Sequence, residues 1–200
     1  RDFRDIRSFP LKGYLIDFSI SKTGIGLIKN STMKNLAFNL NFSNFIPVFN
    51  RWYAGFGIKL RKSFPETQSY YMSQALGYNN NYIRGYEHYV IDGQDFYMMK
   101  NVINYQIIKK QVRTLDFIPI EQFKKIHYSA YLGLFFDAGY VSDDTQIYKK
   151  HNNSLVNSFL FSGGMGLNLV AYYDIVFRIE FSINQLGERG FFLHFDAPIR

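Results

Sequence analysis

Apolar and polar residues alternate with a period of two along eight stretches of the chain, the spacing at which successive side chains of an extended strand point to opposite faces. In the first, Tyr14, Ile16, Phe18 and Ile20 share one face against Leu15, Asp17 and Ser19. Leu36, Phe38, Leu40 and Phe42 then alternate with Asn35, Ala37, Asn39, Asn41 and Ser43. The third sets Trp52, Ala54, Phe56, Ile58 and Leu60 against Tyr53, Gly55, Gly57, Lys59 and Arg61. A fourth carries Tyr97, Met99, Ile103, Tyr105 and Ile107, with Asn101 interrupting the row. The fifth is the longest, from Ile126 to Tyr140, and its polar side holds His127, Ser129 and Asp137. Three more follow over 159–169, 175–183 and 191–195, the second of them with Asp174, Arg178, Glu180, Ser182 and Asn184 on its polar side.

Several stretches run ten residues or more, whereas strands of soluble sheets usually run about five or six. About 9–11 residues take a tilted strand across a bilayer. One set of faces, rich in Phe, Ile and Leu, suits lipid; the other, rich in Asn, Ser, Gly and charges, suits a wet lumen. The links also alternate in length. Ile46–Arg51 and Ala171–Asp174 are short; Ser21–Lys34, Lys62–Asp95 and Ser142–Asn157 are long and fall on the opposite side. Lys109–Lys125 is long for a periplasmic turn, and Gln185–Arg189 is short for an outer loop. The expected fold class is all-β: an antiparallel transmembrane β-barrel domain over residues 1–200 with no internal boundary.

Composition sharpens this picture. The 200 residues include 21 Phe, 16 Tyr and one Trp, so the aromatic surplus exceeds what a small core needs and is expected to serve a lipid-facing band. Trp52, Tyr53, Tyr97, Tyr140, Tyr172 and Tyr173, near strand ends, fit interface girdles. Cys is absent, which excludes disulfides and cysteine-based zinc sites. No apolar run approaches the roughly 18 residues of a transmembrane helix. The chain opens at Arg1-Asp2-Phe3-Arg4 without Met or a signal peptide, and so reads as a mature form or a fragment.

Two motifs carry the functional reading. Ile83-Arg84-Gly85-Tyr86-Glu87 lies in the long link after the third stretch, and Phe135-Phe136-Asp137-Ala138-Gly139, an F-x-D-x-G pattern, lies in the fifth. A buried Arg needs its planar guanidinium paired, and a carboxylate is a charge-assisted partner for it. Gly85 suits a tight bend. In order and spacing these motifs resemble those of the BamA/TamA-type outer-membrane assembly superfamily, also called the bacterial surface antigen family. Ser162-Gly163-Gly164-Met165-Gly166-Leu167, Asp174-Ile175-Val176-Phe177-Arg178 and Phe191-Phe192-Leu193-His194-Phe195-Asp196-Ala197-Pro198-Ile199 extend the resemblance to the end of the chain.

The resemblance implies that the eight stretches correspond to the C-terminal half of a sixteen-stranded barrel in the bacterial outer membrane. It also implies that the loop tip Ile83, Arg84, Gly85, Tyr86 folds into the lumen and meets Phe135, Asp137 and Gly139. The last strand, with Gly190, Phe191, Leu193 and Phe195, would form one side of a weak seam that templates client strands. The implied function is folding and insertion of other barrel proteins, with outer-membrane lipid, client barrels and periplasmic assembly lipoproteins as partners. The family's periplasmic POTRA domains have no counterpart in these residues. Two positions depart from the pattern. Asn104 stands where the family commonly has a lumenal Glu, and the chain ends in Ala197-Pro198-Ile199-Arg200 rather than Gly-x-Pro-Phe.

Other chemistry is not supported. No catalytic residue, metal or cofactor is expected: no Gly-x-Ser-x-Gly is present, and His88, His127, His151 and His194 lack metal-ligand spacing. Asp143 and Asp144 lack an EF-type calcium spacing. Gly163, Gly164 and Gly166 suit close packing better than a phosphate cradle. Arg178 and Glu180 read as a solvated or mutually paired lumen lining. The formal net charge is +7, but the basic residues are spread over turns and loops and face both signs, so no nucleic-acid partner is expected. The alternatives are a passive barrel, serving as anchor or export pore for a linked domain such as a patatin-like phospholipase, and a self-contained short barrel or a half-barrel pairing with its own copy.

Overall fold

The computed structural model describes residues 1–24, 35–64, 72–78, 81–114, 125–143, 153–171 and 175–196. Tyr172, Tyr173, Asp174, Asp144, His151 and residues 197–200 lie outside the described residues. All eight alternating stretches form strands of one antiparallel sheet: β1 (Gly13–Thr23), β2 (Asn35–Phe49), β3 (Trp52–Phe64), β6 (Asp95–Thr114), β7 (Lys125–Ser142), β8 (Phe159–Val170), β9 (Val176–Asn184) and β10 (Arg189–Asp196). A separate hairpin of β4 (Gln74–Leu76) and β5 (Ile91–Asp92) lies within the link from β3 to β6. Each strand of the large sheet pairs with its neighbours in chain order, and β1 and β10 are its edges, with no ladder joining them among the described residues.

The sheet is inverted relative to a soluble one. Asp137, Ser162, Glu180, Ser182, Asn184, Asn168 and Asn104 are buried on one face. On the other, Phe159 is 77% exposed, Phe191 78%, Leu193 68% and Phe195 67%. Thirty large apolar side chains are exposed among the described residues and eighteen apolar residues are buried, so the larger share of apolar material lies outside. The polar face is the inner one, because the sheet curls around the β3–β6 link. Asn81 of that link touches Lys59 on β3, while the adjacent Tyr82 stacks on His194 of β10.

Two apolar clusters occupy this inner side. The larger packs Ala75, Leu76, Ile83, Tyr86 and Ile91 of the link against Phe96, Met98, Val141 and Leu160 of β6–β8, with Leu155 and Val156 beside them. In the smaller, Phe9 from the segment before β1 packs on Tyr131 and Val176, with Leu11, Tyr53 and Val170 around it. Tyr53 is therefore an inner-face residue 6.1 Å from the Tyr131 ring, and its expected place in an interface girdle is corrected. It has the opposite parity to the outward Trp52.

Strand ends also differ from the expected ones. β2 and β3 run to within two residues of each other, joined at Asn50 and Arg51, the latter at φ 66°. β6 extends through Thr114 into the expected Lys109–Lys125 link and β7 begins at Lys125, leaving 115–124 between them. Register shifts in β6 at Gln106/Ile108 and Ile108/Gln111 insert residues the partner strand lacks, a bulge that simple alternation does not reveal.

Candidate functional site

The motif loop sits against the inner face of β6–β9, and Ile83, Arg84, Gly85 and Tyr86 of the loop and Phe135, Asp137 and Gly139 of β7 each have a contact that accounts for them. Arg84 Nε donates to Asp137 Oδ2 at 2.8 Å and Nη2 donates to Oδ1 at 2.6 Å, the bidentate fork expected of a guanidinium on a carboxylate. Asp137 has no exposed surface, so this pair replaces the water that its charge would otherwise demand. Phe135, two residues earlier on the same face, lies under the guanidinium with its ring centroid 3.9 Å away. Two residues later, a Cβ on Gly139 would stand 2.4 Å from Ile83 Cδ1, so the third position of F-x-D-x-G makes room for the loop tip. Phe135, Asp137 and Gly139 thus stack under, pair with and admit successive parts of the loop.

Gly85 turns the chain at φ +86°, a conformation open to glycine at little cost. Its carbonyl accepts from Asn184 Nδ2 at 3.0 Å, and the Arg84 carbonyl accepts from Ser162 Oγ. Tyr86 is buried in the larger cluster, and its hydroxyl lies 3.5 Å from the Phe161 carbonyl. Tyr86 and Ile83 close the turn itself through a backbone hydrogen bond of 2.9 Å.

A second group of charges surrounds this pair. Arg84 Nη1 lies 3.6 Å from Glu180 Oε1 on β9. Glu180 thus supplies a second carboxylate near the guanidinium, while Asn104 is buried with its Oδ1 unpartnered. His194 Nε2 on β10 sits 3.2 Å from Glu87 Oε1 of the loop and 3.3 Å from Glu180 Oε2, the latter an ion-pair contact without hydrogen-bond alignment. Arg178 pairs with Asp196 of β10 at 2.7 Å, not with Glu180, so the mutual pairing considered for Arg178 and Glu180 is replaced by two separate links to other elements. Alternation placed both on the inner face, but their partners come from elsewhere in the chain.

Glu87, Glu180 and His194 offer ligand atoms within 4.8 Å of one another. Their environment favours a proton over a metal ion. Arg84 stands beside Glu180, and the imidazole nitrogen already lies between the two carboxylates. At the outer rim, Tyr89 Oη donates to Glu188 Oε1 at 2.6 Å and Asn184 Nδ2 donates to Oε2 at 2.8 Å. These hydrogen bonds hold the Glu188 carboxyl below the ordinary Glu range and, through the same contact, raise the Tyr89 hydroxyl above its ordinary value.

The residues expected at the seam lie on edge strand β10. Phe191, Leu193 and Phe195 point outward and are exposed, and the Gly190 Cβ position is filled by the Phe192 ring. Seam and loop are joined through the inner-face residue His194, whose two carboxylate neighbours come from β9 and the loop and carry no signal in the local sequence. The chain matches no protein-family model, and no curated protein matches it.

Proposed function

We propose that this sheet belongs to an outer-membrane β-barrel of the kind resembling BamA/TamA factors, corresponding to the C-terminal eight of sixteen strands, and that it serves to fold and insert other barrel proteins. The observation that carries the reading is the inverted sheet with a motif loop pinned to its polar face by Arg84 and Asp137. Thirty large apolar side chains left in water would forgo burial on the order of tens of kcal/mol, at about 25 cal/mol per Å². Lipid covers the same surface without a protein partner. In hydrocarbon every strand needs two neighbours, so β1 and β10 require further pairing to close the structure.

The contents of the inner side favour a wide barrel. About eight strands enclose a space that side chains alone fill. Here the inner side holds the β3–β6 link and the segment around Phe9 as well, which supports additional strands over a self-contained short barrel. Edge strand β10 presents N–H and C=O groups to which a client strand can add. Its inner-face tie to the loop through His194 and Glu87 gives that edge a fixed position relative to the lumen. In this reading the chain works by templating and by distorting the bilayer, with no covalent chemistry, and its partners are outer-membrane lipid, client barrels and periplasmic lipoproteins.

Depletion of the protein in its native cell tests the assembly role. The expected result is a fall in many outer-membrane barrels together, measured by quantitative proteomics of outer-membrane fractions. Unchanged barrel levels would favour the passive anchor or export pore.

A further inference from the structure

Between the motif loop and the segment Ser8–Pro10 lies a cavity of about 280 Å³ on the inner face of the sheet. Lys59, Arg84, Lys100 and Arg178 line it, with Glu180 as the one carboxylate residue in the lining among the described residues. That carboxylate is already faced by Arg84 and His194. Arg84 is held by Asp137, and Arg178 Nη2 by Asp196.

The two lysines have no such partner. Lys59 Nζ donates to the neutral Asn81 side chain. Asp17, on the same cross-strand row through Asn41, is two strands away, about 10 Å at ordinary strand spacing. Lys100 Nζ lies 4.3 Å from the Tyr82 ring. Asp137, its cross-strand neighbour, is occupied by both arms of the Arg84 fork. Neither lysine has a carboxylate within ion-pair distance among the described residues. In the register of β3 and β6 they are diagonal neighbours, Lys59 facing Met98 and Lys100 facing Gly57, about 7–8 Å apart at the backbone. Arg178 adds a further cationic side chain to the lining, its Nη2 paired with Asp196.

Two like charges side by side in one cavity call for a negative ligand of matching reach. We propose that this cavity binds a small oxyanion of the phosphate class, with Lys59 Nζ and Lys100 Nζ as its donors. A tetrahedral oxyanion accepts several charge-assisted hydrogen bonds at once and neutralises both ammonium groups. The volume exceeds that of one phosphate, so a small phosphomonoester fits the same chemistry. The proposal needs only the inner face and holds whether or not the barrel assembles other proteins.

Calorimetric titration of the full chain, folded in an uncharged detergent at low salt, tests it with inorganic phosphate, glycerol phosphate and chloride in separate arms. The expected result is saturable binding of inorganic phosphate near one per chain, weakened at least about tenfold in Lys59→Gln and in Lys100→Gln, and unchanged in the exposed-lysine control Lys109→Gln. Equal or tighter binding of glycerol phosphate assigns the site to a phosphomonoester; loss of binding in that arm assigns it to the free ion. The wild-type melting temperature should also rise with phosphate concentration as the ligand selects the folded state, a readout that needs no variant. Absence of saturable phosphate binding, equal response to chloride, or binding that survives the Lys59→Gln/Lys100→Gln double variant would overturn it.

Discussion

Asp137 carries a charge with no exposed surface, and that charge is tolerable because Arg84 meets it with two short donors. Removing one partner leaves the other in a poorly solvated place, a change that typically costs about 3–5 kcal/mol when the pair is buried. Asp137→Ala should destabilise the fold by that order in chemical denaturation, and Arg84→Ala by a similar amount. The double variant should cost less than the sum of the two, since each single change strands the other's charge. Additive losses would show that the residues do not act as a pair. The sequence made this pair legible because both members lie in short motifs and parity sets Asp137 inward. Glu180 shares a legible inner face, but its link to His194 was not legible, because it follows from the β9–β10 register, which sets Glu180 opposite Phe192 and Arg178 opposite His194, and Glu87 reaches His194 only once its loop has folded onto the inner face.

At the scale of elements, alternation specified strands well because a face-to-face difference repeats over eight to twenty residues in each strand. It failed where the period breaks. The bulges of β6 and the short β4–β5 hairpin carry no lasting two-residue repeat, and Phe9 packs on Tyr131 and Val176, more than a hundred residues away in the chain. The loop is also tied at the outer rim, where Tyr89 and Asn184 donate to Glu188. Because Glu188 has its pKa lowered in the fold, its contribution is present above the ordinary Glu value of about 4.3 and is lost as pH falls through the lowered value. Tyr89, raised by the same contact, contributes fully below about pH 10 and loses its contribution as pH rises through its raised value. Hydrogen-exchange protection of the Asn184–Glu188 turn should therefore hold steady between about pH 5 and 9 and decline in stronger acid. Glu188→Gln should abolish the acid-side decline; an unchanged decline would place its cause elsewhere.

For the whole molecule, one fact organises the rest: the eight-stranded sheet turns its apolar residues outward and keeps its charges inside. That arrangement gives a place to the aromatic surplus, to the paired charges around Arg84 and to the unpaired edges of β1 and β10. The absence of cysteine allows it to be tested one side chain at a time. Single cysteines at successive positions 38 to 43 of β2, spin-labelled in reconstituted bilayers, report access to oxygen, which concentrates in lipid, and to a water-soluble nickel complex. Oxygen access should be high at Phe38, Leu40 and Phe42 and low at Asn39, Asn41 and Ser43, a two-residue alternation with no nickel access on the outer face. High nickel access at Phe38, Leu40 and Phe42 would place that face in water and contradict the membrane barrel.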